Sequence, residues 1–252
     1  IDADVYVDQA KGFEVLDEDG VPLVLKLKRA LYGTKQASRL WQDTLRAFLC
    51  ELGFKNSLVD PCLYSMHTKR GTIVLGVYVD DIIVGTSNDA MFNWFWQRFE
   101  QKFRSKCLGK LEWLLGVAVD QLPNGDIEIH QSKYISDLVD KFLPDIKSLN
   151  ILRDTPALAD RFGKLGKAES DEERERMRGK PYMQLIGSLL YLSTMCRPDI
   201  AYHLSVLCRF MGDPSEECFN QALHVLVYLH KTKHLKIRYS RNFHIPGTFW
   251  EV

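Results

Sequence analysis

The 252 residues carry no net charge, with 33 Lys and Arg against 33 Asp and Glu. No global basic excess therefore marks the chain as a nucleic-acid binder, and any such role must rest on local charge. Cys50, Cys62, Cys107, Cys196, Cys208 and Cys218 include no CxxC pair and no histidine at zinc-ligand spacing. That pattern indicates neither a zinc site nor a disulfide framework, and reduced, buried thiols are expected. No apolar run approaches the roughly 20 residues that span a bilayer, and no signal-peptide pattern opens the chain. A soluble intracellular protein without membrane contact is expected. There is no internal repeat and no low-complexity tract. His130, His203, His224, His230, His234 and His244 show no pairing with Ser or Cys of the kind hydrolases use, so structural roles are expected for them. What remains is an ordinary globular composition, 46% hydrophobic and 26% charged, long enough for one large or two modest domains.

Against that background the most informative residues are Tyr78-Val-Asp-Asp81, two adjacent carboxylates between the apolar runs Thr72–Val79 and Ile82–Gly85. Both flanks have the β-branched content and length of buried strands, which makes the acids the tip of a tight hairpin. Asp is at home in turns, and an ordinary turn is one reading. Two charges side by side on so apolar a base call for water or a counter-cation, and a hard divalent ion such as Mg²⁺ is the second reading. A calcium-binding module fits poorly, because no other carboxylate stands at EF-hand-like intervals around the pair.

Other elements follow from spacing. Asp19-Gly20 signals a hairpin before Val21–Leu27, and Trp41, Leu45, Phe48, Leu49 and Leu52 recur at helical spacing over 38–52 with Gly53 as the stop. Ser87 or Asn88 can cap a helix carrying Phe92, Phe95, Trp96, Phe99 and Phe103, an aromatic stripe whose period assigns it to the core and not to base stacking. A hairpin over 111–131 turns at Pro123-Asn-Gly-Asp126, with Leu114–Val119 read as its first strand, and a short helix covers 132–142. The charged stretch 160–180 reads as a solvated linker or exposed helix and as the domain boundary. Helices are expected over 181–195, 198–211 and 216–231, the last capped by Ser215.

The order Gly12-Phe-Glu, Leu27-Lys-Arg-Ala-Leu-Tyr-Gly-Thr-Lys-Gln-Ala37, Gly53-Phe-Lys-Asn-Ser, Asp60-Pro-Cys-Leu-Tyr64 and Tyr78-Val-Asp-Asp81 resembles the reverse transcriptase of copia-type LTR retrotransposons. Leu114-Leu-Gly116, Gln131-Ser-Lys-Tyr-Ile135, Thr155-Pro156, Ile186-Gly-Ser-Leu-Leu-Tyr191 and Arg197-Pro-Asp-Ile-Ala-Tyr202 continue it. The resemblance implies an α+β polymerase right hand: partial fingers and palm with an antiparallel sheet in 1–150, the charged stretch 151–180, and a mostly helical thumb or connection region in 181–252. It implies an RNA-directed DNA polymerase that transfers nucleotides to a primer 3′-hydroxyl with two Mg²⁺ ions, Mn²⁺ being a possible substitute. Asp80 is then the metal ligand and Asp81 its supporting carboxylate. Tyr78 and Val79 lie under the primer end, Lys35 and Arg39 reach phosphates, and Gly33 and Gln36 shape the backbone at the nascent base pair. Implied partners are an RNA or DNA template with primer, deoxynucleoside triphosphates, and the rest of a Gag-Pol polyprotein including RNase H and integrase. The implied setting is a cytoplasmic particle and the nucleus.

Two departures matter. Ala10 and Ser38 stand where the family usually has proline, which loosens a turn and a helix start. The family's first catalytic Asp belongs to a motif upstream of Tyr6–Phe13, and Asp2, Asp4 and Asp8 lack its strand-to-helix setting. The chain, starting at Ile1, is therefore expected to be a piece of a longer polyprotein, inactive by itself, with RNase H following near residue 240. The alternative is a non-catalytic remnant or accessory subunit that binds nucleic acid through Lys26, Lys28, Arg29, Lys35 and Arg39.

Overall fold

The computed structural model describes residues 4–144, 154–157 and 159–241. They group into two units that divide between Leu108 and Gly109. The architecture mixes helices with antiparallel sheets. Asp2 and His244 lie outside the described residues.

The first unit opens with a ribbon in which β1 (Tyr6–Val7) pairs antiparallel with β2 (Leu25–Lys26). The Asp17 side chain makes the turn between them by accepting from the amides of Asp19 (3.0 Å) and Val21 (2.8 Å), the Asx arrangement that competes with regular structure. Helix α1 (Ala37–Glu51) follows. It ends because Gly53, at φ +94°, turns the chain so that the amides of Gly53 and Phe54 reach back to Cys50 and Leu49, a Schellman closure. Four antiparallel strands come next, β3 (Lys55–Asn56), β4 (Leu63–Thr68), β5 (Gly71–Tyr78) and β6 (Asp81–Thr86), in that spatial order. Helix α2 (Asp89–Lys102) starts at Asn88, whose side chain accepts from the Met91 amide at 3.0 Å.

Strand alternation turns Tyr64, Met66, Ile73 and Leu75 into a core shared with Leu45, Phe48 and Leu49 of α1 and Met91, Phe95 and Phe99 of α2. The aromatic stripe packs edge-on, with Phe48 against Phe103 (centroids 5.2 Å) and Phe54 against Phe95 (5.7 Å). The buried members of the stripe, Phe95 and Phe99, each contribute about 1.5–3 kcal/mol, Trp96 and Phe103 pack half-buried against them, and Phe92 lies outside this core.

In the second unit β7 (Trp113–Leu114), β8 (Val117–Gln121) and β9 (Ile127–His130) form antiparallel hairpins. The run Leu114–Val119, expected as one strand, is broken at Leu115-Gly116, which both take positive φ (48° and 76°) and reverse the chain. After α3 (Ser132–Phe142) come α4 (Asp171–Arg178), α5 (Tyr182–Met195), α6 (Ala201–Leu207) and α7 (Glu216–Lys231). Strand β10 (Ile237–Tyr239) then returns to pair with β9, giving the order β10-β9-β8-β7. Arg238 fixes this pairing by gripping Asp126 at 2.6 Å.

The core of this unit is helical: Ile135, Leu138 and Val139 of α3 lie among Leu185, Ile186, Leu189, Leu204, Val225, Leu226 and Leu229. Residues 109–144, grouped by sequence with the first 150, thus pack with the helices. The charged segment, read as linker or exposed helix, holds α4. Its Met177 is buried in the same core, while Arg176 (3.1 Å) and Lys180 (3.3 Å) pair with Glu216.

Candidate active site

The hairpin β5–β6 is as tight as a hairpin can be. Tyr78 pairs with Asp81, leaving Val79 and Asp80 as the loop. Val79 has φ +52°, and Asp80 is not among the positive-φ residues, a combination found in type II′ turns, where glycine is the usual first residue. A β-branched side chain in that conformation is strained, at a cost on the order of 1–3 kcal/mol. The strained peptide is held from outside the hairpin: the Trp41 indole N–H donates to the Val79 carbonyl at 2.7 Å. Asp80 and Asp81 are exposed, and neither carboxylate is drawn into an ion pair or hydrogen bond among the described residues.

The Trp41 contact sets the N-terminal part of α1 beside this tip. Gly33, at φ +92°, lies in the turn before the helix, where the Thr34 amide donates to Leu31 O at 3.1 Å. Lys35 and Arg39 are exposed, and Arg39 is two residues before Trp41. Gln36 occupies the N-cap position without a side-chain cap bond, and its amide oxygen is buried with no partner. No acid lies in the first turn of α1, so the positive end of its dipole is not neutralised there. The structure therefore brings Tyr78, Val79, Asp80 and Asp81 onto one hairpin, and places Gly33, Lys35 and Gln36 on the approach to α1 and Arg39 in its first turn.

Among the described residues no group of three or more His, Cys, Asp or Glu side chains is placed to hold a metal. Asp4 is engaged elsewhere, pairing with Lys26 at 2.7 Å. No helix is long and apolar enough to cross a membrane among the described residues. The residue that sequence reasoning passed over is Trp41. It appears there as one apolar position of a helix, although a half-buried indole N–H regularly finds an acceptor, and that need was the available signal.

A family described as reverse transcriptase (RNA-dependent DNA polymerase) matches residues 1–151. The putative transposon Ty5-1 protein of Saccharomyces cerevisiae is 29% identical over 250 residues, which are 99% of this chain and 78% of that protein. The retrovirus-related Pol polyprotein from transposon RE1 of Arabidopsis thaliana is 31% identical over 226 residues, 90% of this chain. That from transposon TNT 1-94 of Nicotiana tabacum is 28% identical over 234 residues. The chain spans 15% and 17% of the length of these two polyproteins. No solved structure matches it. With more than half of its length matched and these transposon proteins as relatives, the chain belongs to the reverse transcriptase family, in the form carried by copia-type retrotransposons.

Proposed function

We propose that the chain is the polymerase segment of an RNA-directed DNA polymerase: partial fingers and palm in the first unit, which carries the hairpin, and a thumb or connection region in the second, which also takes residues 109–144 and the charged stretch with α4. The observation that carries this reading is a pair of unneutralised carboxylates on a strained two-residue hairpin tip, tied to the start of a helix with an uncapped positive end. Two hard, solvated oxygen donors suit Mg²⁺, which keeps several waters and takes one or two carboxylates beside substrate phosphates. When bound, such ions acidify the primer 3′-hydroxyl and neutralise charge on the triphosphate. Asp80 is the ligand and Asp81 its support, and Tyr78 and Val79 bear the primer end. Lys35, Arg39 and the free helix end attract phosphates. Gln36, through its unpartnered oxygen, and Gly33 shape the ground under the nascent base pair. The partners are a template with its primer, deoxynucleoside triphosphates and the rest of a Gag-Pol polyprotein.

Two carboxylates alone hold a divalent ion weakly, so this chain is proposed to be slow or silent until a third acid is supplied. The test is Mg²⁺-dependent extension of a DNA primer on an RNA template, run on this chain, on a form extended upstream with the family's Asp motif, and on Asp80→Asn in that form. Activity in the extended protein, lowered at least about 100-fold by Asp80→Asn, supports the reading, and equal extension by Asp80→Asn refutes it. A second reading, a non-catalytic nucleic-acid-binding subunit, is favoured by the exposure of Lys28, Arg29 and Lys35. It predicts salt-dependent binding that Asp80→Asn leaves unweakened, with no extension from any form.

A further inference from the structure

We infer that Trp41 is the positioning residue of the Asp80-Asp81 turn: its indole N–H holds a peptide that Val79 would otherwise relax, and so sets where the two carboxylates point. The inference rests on the metal reading above. Three observations carry it. The turn has a two-residue loop with no slack. Its first residue is a valine at φ +52°, a conformation that persists only when surroundings impose it. The Val79 carbonyl, the next group along that strained residue, accepts from Trp41 at 2.7 Å. Trp41 is itself anchored, since its ring meets Phe103 edge-on at 5.3 Å and Phe103 in turn meets Phe48 of the core. A rigid helix is thereby connected through one hydrogen bond to the peptide that precedes Asp80.

The second unit has a parallel arrangement. Leu115, also non-glycine at positive φ and also first in a two-residue loop, offers its carbonyl to the Tyr191 hydroxyl of α5. An aromatic donor from a helix clamping a strained hairpin carbonyl is thus used twice, which sets the device apart from incidental packing.

The test follows the 252-residue chain by NMR, titrated with MnCl₂, in wild-type form, as Trp41→Phe, and as Trp41→Phe with Val79→Gly. Phenylalanine keeps an aromatic ring for Phe103 while removing the N–H donor together with part of the indole's bulk, and glycine, which accepts positive φ without strain, separates the two effects because it can compensate only for the lost donor. Expected are slow solvent exchange of the Trp41 indole proton and manganese broadening centred on the Asp80 and Asp81 amides. In Trp41→Phe the Mn²⁺ midpoint rises about 3- to 10-fold, the worth of one hydrogen bond, and the added Val79→Gly restores it to within about 2-fold. A merely structural role for Trp41 gives no such rescue. A Trp41→Phe midpoint equal to wild type, or failure of Val79→Gly to restore it, overturns the inference. Absence of manganese broadening in wild type overturns the metal reading instead. The latch is then decided by indole exchange in the unsubstituted protein, slow exchange supporting it and fast exchange overturning it, whether or not Trp41→Phe folds.

Discussion

Arg197 offers the sharpest test of how the second unit is held together. Its side chain is 3% exposed and donates four hydrogen bonds. Nε and Nη2 meet the two Asp199 oxygens at 3.0 and 2.8 Å, while Nη1 and Nη2 meet the Thr232 carbonyl and hydroxyl at 3.1 and 2.7 Å. The Tyr228 hydroxyl adds a bond to Asp199 at 2.8 Å. One guanidinium thus joins the turn before α6 to the C-terminal end of α7, where a cation also complements the helix dipole. Removing one partner of a buried pair costs about 3–5 kcal/mol. Asp199 is 35% exposed, so water relieves part of its loss and about 3 kcal/mol is expected for Arg197→Ala. Hydrogen exchange followed by mass spectrometry reads this locally: amide protection over 216–231 should fall about 100-fold, while that over 37–51 stays as it was. Arg197→Lys keeps the charge but not the fork, and should lose about 10-fold. Equal losses in the two variants would refute the role of the fork, and a change under about threefold in Arg197→Ala would refute the reasoning altogether.

Other outcomes follow from the same physics. Burial, with help from neighbouring His224, lowers the His203 pKa to about 4 from its ordinary 6.5. The folded state therefore keeps this imidazole neutral while the unfolded state takes up a proton. Stability is full above pH 6.5 and is lost as pH falls toward 4, by about 3 kcal/mol, and His203→Gln should flatten urea midpoints across that window. At Asp199 burial opposes ionisation, but the hydrogen bonds from Arg197 and Tyr228 outweigh it and hold the carboxyl below its usual range. Its contribution is present above about pH 4 and disappears at lower pH, a loss that Arg197→Ala should abolish in acid titrations of α7 protection. Gly71→Ala should cost roughly 2 kcal/mol or more, because the new methyl group would sit 2.4 Å from Ser87 Oγ at a backbone φ of +145°. Thermal melts of the first unit measure it. Asp80→Asn, at an exposed tip, should change stability by less than about 0.5 kcal/mol, and a larger shift by calorimetry would show that the carboxylate has a structural partner.

Much of this molecule is legible in its residues because it depends on local signals. The period of the aromatic stripe assigns it to the core, where all of it but Phe92 packs, Gly53 ends α1, and Asn88 and Ser215 cap α2 and α7. Two apolar runs around Tyr78-Val-Asp-Asp81 give the hairpin and hence the candidate site. What the residues do not reveal depends on distant partners. Strand β4, with its Leu-Tyr-Ser-Met-His-Thr composition, is defined by pairing with β5. The break at Leu115-Gly116 needs a Tyr191 hydroxyl from far along the chain. Asp126, a turn residue by sequence, is also the anchor of Arg238. The strain at Val79 and the Trp41 bond to its carbonyl are invisible in a string of letters, because both are three-dimensional facts about one peptide.

The return of β10 to the edge of β9 has a consequence for how the protein is made. The helices 171–231 lie in the chain between two strands that are neighbours in space, so the second sheet cannot be completed until residues 237–239 have left the ribosome. The first unit has no such dependence, because its last core element ends at Lys102. Vectorial synthesis at roughly 5–20 residues per second then leaves an interval of several seconds in which the Asp80-Asp81 hairpin is already built while the β9 edge still stands open. Nascent chains stalled just before and just after β10 should differ in protease resistance over 117–130, and not over 63–86.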